Sequence, residues 1–160
     1  LLTGLLNKYI SWVLRDFHSA NIIWLDNRHD IKKIGLIDFQ DMVWGPQAYD
    51  LASLLKDARI PISAEIEAAL IKYYLGERSR YDPDFDAEYF GQAYSVFGLQ
   101  RIFKILGVFV RLAQRDKKSD YLRHIPQLIL YVRSCISQNI FFELREWLTI
   151  HCPIFAREVL

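Results

Sequence analysis

Apolar residues fall into short blocks over the first quarter of the chain and recur at helical spacing over the remainder. Residues 10–14 (ISWVL) form a short run rich in β-branched and aromatic side chains, the composition of a strand. The pattern breaks over residues 15–20, resumes as a strand at 21–25, passes through the turn residues 26–30 (DNRHD), and returns at 31–37 as a hairpin partner. Residues 1–9 read as the tail of a helix or a connector. Beyond Gly45-Pro46, a turn signal, residues 48–57 read as a helix and Pro61 closes the connection after it. The next helix has Ser63 as its cap, Glu65 and Glu67 in its positive first turn, one face made by Ile66, Leu70 and Tyr73, and Gly76 as its end. Residues 87–115 predict a long helix interrupted only by Gly91, Gly98 and Gly107. Each glycine costs about 1 kcal/mol in a helix interior, so close packing or a bend is expected there. An amphipathic segment over 121–142, entered near Pro126, and a last helix over 143–150 complete the pattern. The expectation is an α+β fold, predominantly helical, in which a small β-hairpin region precedes a helical bundle within a single domain over residues 1–160.

Composition narrows the partners more than the fold. At 160 residues, 52% hydrophobic and 24% charged, the chain is long enough for one core that buries roughly 70% of its unfolded surface. Twenty basic residues against 19 acidic ones leave a net charge of +1, which removes the electrostatic case for nucleic acid or anionic membrane as the main partner. Residues 102–113, the most apolar stretch, are broken by Lys104 and Arg111 and are too short and too charged to cross a bilayer. Cys135 and Cys152 have no second pair or nearby His at metal-ligand spacing and read as reduced thiols of a cytoplasmic protein. The N-terminus lacks the basic region and cleavage site of a signal peptide, and the only methionine is Met42, so the chain reads as a fragment.

Candidate chemistry concentrates in the strand region. Asp16 in LRDFHSAN is followed five residues later by Asn21, and Asp38 in IDFQD lies 17 residues after that. Because a hairpin separates Asn21 from Asp38, both side chains belong to loops at one end of two antiparallel strands, as two ligands of one ion need to be. The bland alternative is a set of loop Asp and Asn residues capping turns. The pattern resembles the catalytic and metal-binding segments of protein-kinase-like phosphotransferases. That resemblance implies that Asp16 aligns an acceptor hydroxyl and takes its proton, while Asn21 and Asp38 bind Mg²⁺ and, with it, ATP.

More specifically, the chain resembles the aminoglycoside phosphotransferase and choline kinase family. The likeness lies in Arg15-Asp16-x-His18-x-x-Asn21, Ile37-Asp38-Phe39-x-Asp41 and Gly45-x-x-Ala48-Tyr49-Asp50-Leu51-Ala52. Within that family it is similar to bacterial sugar kinases acting on the anomeric hydroxyl of N-acetylmuramic acid and N-acetylglucosamine. Asp38-Phe39-Gln40-Asp41, Leu54-Leu55-x-Asp57-Ala58-Arg59 and Gln100-Arg101-x-x-Lys104-Ile105-Leu106-Gly107-x-Phe109 carry this part. Leu14 stands where many relatives have His, and Gln40 replaces the Gly of the protein-kinase triplet, so no activation-loop flip is expected. The resemblance further implies that Asp50 is structural and accepts hydrogen bonds from the catalytic-loop backbone.

Other residues have competing readings. His18 is expected to brace the loop rather than act as a base, and Arg15 to pair with a neighbouring carboxylate rather than a phosphate. Asp41 is open between metal or substrate binding and capping the following turn. Arg101, Lys104, Arg111 and Arg115 share one face of the long helix, either as a solvated face or with Arg101 or Lys104 turned to an anionic group of substrate. Trp12, Trp24, Phe97 and Phe103 are expected in the core rather than as a sugar-stacking platform.

The resemblance also implies a preceding lobe with a phosphate-covering loop and a strand Lys, for which the 15 residues before Asp16 leave no room. The chain is therefore expected to be the C-terminal lobe of a small-molecule kinase, with the N-terminal nucleotide-binding lobe as its missing partner. A catalytically inactive remnant, or a binding or scaffold module of the same fold, is the alternative.

Overall fold

The computed structural model describes Leu5 and residues 8–155. Among them, two two-stranded antiparallel sheets come first and five α-helices follow. The chain divides into two compact units, Leu1–Phe97 and Gly98–Leu160. Most of the connector expected over residues 1–9 lies outside the described residues.

In the first unit, β1 (Ile10–Val13) pairs with β4 (Val43–Pro46), with Trp12 opposite Trp44 and Ser11 opposite Gly45. Between these strands lies the hairpin of β2 (Ile22–Trp24) and β3 (Ile34–Leu36), with Ile23 opposite Gly35. A Cβ at Gly35 would sit 3.2 Å from Leu25 Cδ1, a tight approach that a larger residue could make only if the Leu25 side chain shifted. The hairpin expected from sequence is present but shorter, because residues 30–33 form a 3₁₀ turn instead of strand. β4 was hidden behind Gly45-Pro46: this dipeptide is the end of a strand rather than a turn, and its Pro sits where an edge strand tolerates a missing N–H.

Helix α1 (Ala48–Leu55) follows β4 directly, and Gln47 N donates to Tyr9 O at 3.0 Å, tying the helix start to the strand entrance. α2 (Ala64–Tyr81) opens on Ser63, whose Oγ accepts from Ile66 N at 3.3 Å. It runs five residues past Gly76, the end expected from sequence. Good helix formers, Glu77, Arg78 and Arg80, follow that glycine and offset its cost of roughly 1 kcal/mol. α3 (Ala87–Arg115) has the predicted bounds. An added Cβ at Gly91 or Gly107 meets nothing within 4 Å, so close packing does not explain either glycine.

The core of the first unit includes Val13, Ala48, Ala52, Leu55, Phe90, Ala93, Tyr94 and Phe97. Phe90 stacks on Tyr74 at 5.0 Å. A partly buried ion pair adjoins it, Lys56 Nζ to Glu67 Oε1 at 2.7 Å, and Tyr94 OH donates to the same oxygen at 2.8 Å. Trp12 and Trp24, expected inside, are 62% and 61% exposed. Their strands belong to two-stranded sheets, each with a face that the described residues leave uncovered. Phe97 is buried as expected and Phe103 is half-buried.

The second unit packs α4 (Ile125–Ile136) on α5 (Phe142–His151) and buries Leu128, Val132, Cys135, Ile136, Phe141 and Leu148, while the C-terminal part of α3 sets Phe109 against Tyr121 at 5.2 Å and Phe103 against Phe155 at 5.7 Å. The amphipathic segment over 121–142 is thus one helix flanked by 3₁₀ turns. Arg145 Nη1 donates to the carbonyls of Ile136 and Ser137, satisfying the end of α4. On α3, Lys104, Arg111 and Arg115 are solvated as one reading held, whereas Arg101 is buried. Both cysteines are free thiols.

Candidate active site

The loop between β1 and β2 carries Asp16, and the loop between β3 and β4 carries Asp38. A strand that leaves a two-stranded sheet has few neighbours to fix its next residues, so polar anchors must do so. Asp50, in the first turn of α1, provides two: its Oδ2 accepts from Leu14 N at 2.6 Å and its Oδ1 from Arg15 N at 3.0 Å. Charged acceptors make the stronger class of hydrogen bond, and this pair fixes the backbone immediately before Asp16. The structural role expected for Asp50 is the role it plays.

Arg15 has φ 68° and Asp38 φ 60°, both in the left-handed region that non-glycine residues occupy at a cost of about 1–3 kcal/mol. Each adjoins a bond that offsets the strain. Arg15 is gripped by Asp50, and Ile37, just before Asp38, donates its N–H to Asn21 O at 3.1 Å. Within the loop that carries Asp16, Asp16 N donates to Leu14 O at 2.8 Å, His18 N to Asp16 O at 3.0 Å, and Asn21 N to His18 O at 2.9 Å. His18 thus braces the loop through its backbone.

Asn21 and Asp38 meet. Asn21 Nδ2 donates to Asp38 Oδ2 at 3.3 Å and to Asp16 O at 2.9 Å, so one amide group joins all three sequence-predicted site residues. Both of these bonds use the amide nitrogen, which leaves Oδ1 as the acceptor or ligand atom of Asn21. Asp38 Oδ1 accepts from Gln40 Nε2 at 2.6 Å. In the sequence Gln40 is part of the Asp38–Asp41 motif and a departure from the protein-kinase triplet, neither of which gives the direction of its side chain.

Arg15 Nη1 approaches Asp41 O at 3.4 Å, which ties the Asp16 loop to the loop after Asp38. Two further residues hold the loop from α1 and the turn after it. Ser53 Oγ is 3.5 Å from Arg15 O, and Asp57 Oδ2 accepts from Ser19 Oγ at 3.3 Å. Sequence reasoning cited Asp57 only as part of a motif. Nothing in its spacing from Ser19, 38 residues away, could have announced the bond.

The chemical content is a half-buried Asp beside an Asn and an Asp with hard oxygen atoms. Among the described residues, no group of three or more His, Cys, Asp or Glu is arranged to hold a metal. No helix there is long and apolar enough to cross a membrane.

Comparison with known proteins matches residues 2–87 to the phosphotransferase enzyme family. A relative from Caulobacter vibrioides, an N-acetylmuramate/N-acetylglucosamine kinase, is 39% identical over 143 residues, or 89% of this chain and 38% of the relative. Its namesake from Neisseria meningitidis serogroup B is 37% identical over 83% of this chain and 39% of the relative. That from Pseudomonas putida is 35% identical over 66% of this chain and 32% of the relative. The chain spans less than two-fifths of the length of these curated relatives.

Proposed function

The chain belongs to the phosphotransferase enzyme family, and from that premise we propose that the protein containing it transfers the γ-phosphoryl group of ATP to a hydroxyl of an amino sugar. N-acetylmuramate and N-acetylglucosamine, the sugars in the relatives' names, are the proposed acceptors. The observation that carries this reading is the Asn21 amide, which binds the Asp16 backbone and the Asp38 carboxylate at once, with Asp50 gripping the loop from behind.

In this reading Asp16 accepts the proton of the acceptor hydroxyl as that oxygen forms its bond to the γ-phosphorus, and the bond from phosphorus to the β,γ-bridging oxygen breaks to release ADP. Asn21 Oδ1 and the Asp38 carboxylate suit Mg²⁺, which takes one or two protein oxygens and completes its shell with water and phosphate. The ion, when bound, would neutralise charge on the phosphates. Asp38, Gln40 and Asn21 hold its ligands in place. The part of a longer protein that this chain does not span would supply the remaining nucleotide contacts. Exposed Trp12, Trp44, Phe39 and Met42 around the strands support a covering partner there. The free thiols fit a cytoplasmic setting.

The test is ADP release by a full-length protein against a panel of hydroxyl acceptors: amino sugars, an aminoglycoside, choline and homoserine. Turnover is expected with the two N-acetylated sugars and Mg²⁺. Release no faster than the acceptor-free background with every compound would instead indicate an inactive or binding module.

A further inference from the structure

Beside the loop that carries Asp16, the chain builds a second polar group that the phosphoryl-transfer step leaves unused. α1 ends at Leu55, and the turn after it holds Asp57 and Arg59. The Asp57 side chain is 5% exposed, yet its carboxylate serves two segments. Oδ2 accepts from Ser19 Oγ at 3.3 Å, while Oδ1 accepts from Arg59 N at 3.1 Å and from Arg59 Nη1 at 3.4 Å. Ser19 lies between Asp16 and Asn21, so the relay Ser19–Asp57–Arg59 attaches a cation to the catalytic loop itself.

We propose that Arg59 is a specificity residue that recognises the carboxylate of an acidic acceptor sugar. The inference rests on the amino-sugar reading above. The two sugars in the relatives' names differ in one group relevant here: muramic acid carries a lactyl ether whose carboxylate is ionised at neutral pH, and N-acetylglucosamine has no such group. A base at Asp16 serves a hydroxyl of either sugar. Accepting the charged one requires a cation set apart from the base by about the size of a sugar. Asp16 and Ser19 are three residues apart, which places their Cα atoms within about 11 Å.

Three features suit Arg59 to this task. Its side chain is 38% exposed, so it is accessible to a ligand, while the carboxylate that orients it is buried. Its guanidinium is a planar fork suited to carboxylates, and Nη1, 3.4 Å from the buried Asp57 carboxylate, anchors it beside the loop. The other cation of this turn, Lys56, is committed elsewhere, since its side chain is 7% exposed and its Nζ lies 2.7 Å from Glu67.

The experiment is steady-state kinetics of the full-length protein, wild type and Arg59→Gln, with N-acetylmuramate, its uncharged lactamide and N-acetylglucosamine. Losing one charge-assisted hydrogen bond should lower the acidic-to-neutral ratio of kcat/KM by about 10- to 100-fold, mainly through KM. The wild type should disfavour the lactamide to a similar extent, whereas Arg59→Gln should scarcely distinguish lactamide from acid. Arg59→Lys should recover part of the ratio. An unchanged ratio overturns the assignment, as does an equal fall for all three sugars, which would mark a structural or nucleotide role. A wild type that phosphorylates none of the three, while active on another acceptor, overturns the amino-sugar reading and this inference with it.

Discussion

The strand-and-loop segment of the first unit, residues 10–46, and the helices that follow it are held by different forces. α1 and the first turns of α3 bury Ala48, Ala52, Leu55, Phe90, Ala93 and Phe97. The strands leave Trp12, Ile23, Trp24, Leu36, Val43 and Trp44 exposed, with Val13 and Gly45 as their buried exceptions. Burial of a large apolar side chain is worth about 1.5–3 kcal/mol, so the helices supply the stability of this unit. The strand segment takes its geometry from polar bonds, and those of Asp50 and Asp57 reach the Asp16 loop from α1 and the turn beyond it. Site geometry and global stability can therefore be disturbed separately.

Breaking the buried side should have the largest effect on stability. Phe90→Ala removes a ring that is 1% exposed and is expected to lower unfolding free energy by about 3–5 kcal/mol, measured by denaturant unfolding of the full-length protein. Asp50→Ala strips the acceptors from two backbone N–H groups, an expected loss of about 2–5 kcal/mol. Its distinguishing sign is local, with faster amide exchange at Leu14 and Arg15 than at core positions of α3. If exchange rose uniformly, the separation of site from core would be wrong.

A smaller effect comes from acid. The Asp86 carboxyl is held below its ordinary value of 3.8 chiefly because it accepts from the Tyr89 N–H, and then because it bonds Lys8. A carboxyl depressed in the folded state contributes stability that is fully present above its unfolded value and disappears as pH falls through the folded one. Wild type should thus keep its thermal margin over Asp86→Asn near neutral pH and lose it as the pH drops below about 3.8. The smallest effect is expected from Trp44→Ala, less than about 1 kcal/mol, because the ring is 65% exposed and packs edge-on against Trp12. A loss comparable to that of Phe90→Ala would show that the strand region is as burial-dependent as the helices.

What was legible in the sequence follows the same division. α3 and the Ser63 start of α2 could be read because periodicity and capping are local. The end of α2 could not, since Gly76 is tolerated where its neighbours favour helix. β4 and the exposure of Trp12 and Trp24 were missed because strand pairing and sheet coverage depend on residues tens of positions away. At the site, the meeting of Asn21 and Asp38 follows from the hairpin between them, and the grip of Asp50 from the family resemblance. Gln40 on Asp38 and Asp57 on Ser19 depend on side-chain direction, which spacing does not record.

The most direct test of Asp16 as the proton acceptor is the turnover of Asp16→Asn in the full-length protein, with nucleotide affinity measured on the same sample. Proton acceptance by Asp16 predicts a fall in kcat of about 10²- to 10⁴-fold with nucleotide binding retained. Near-normal turnover would contradict it.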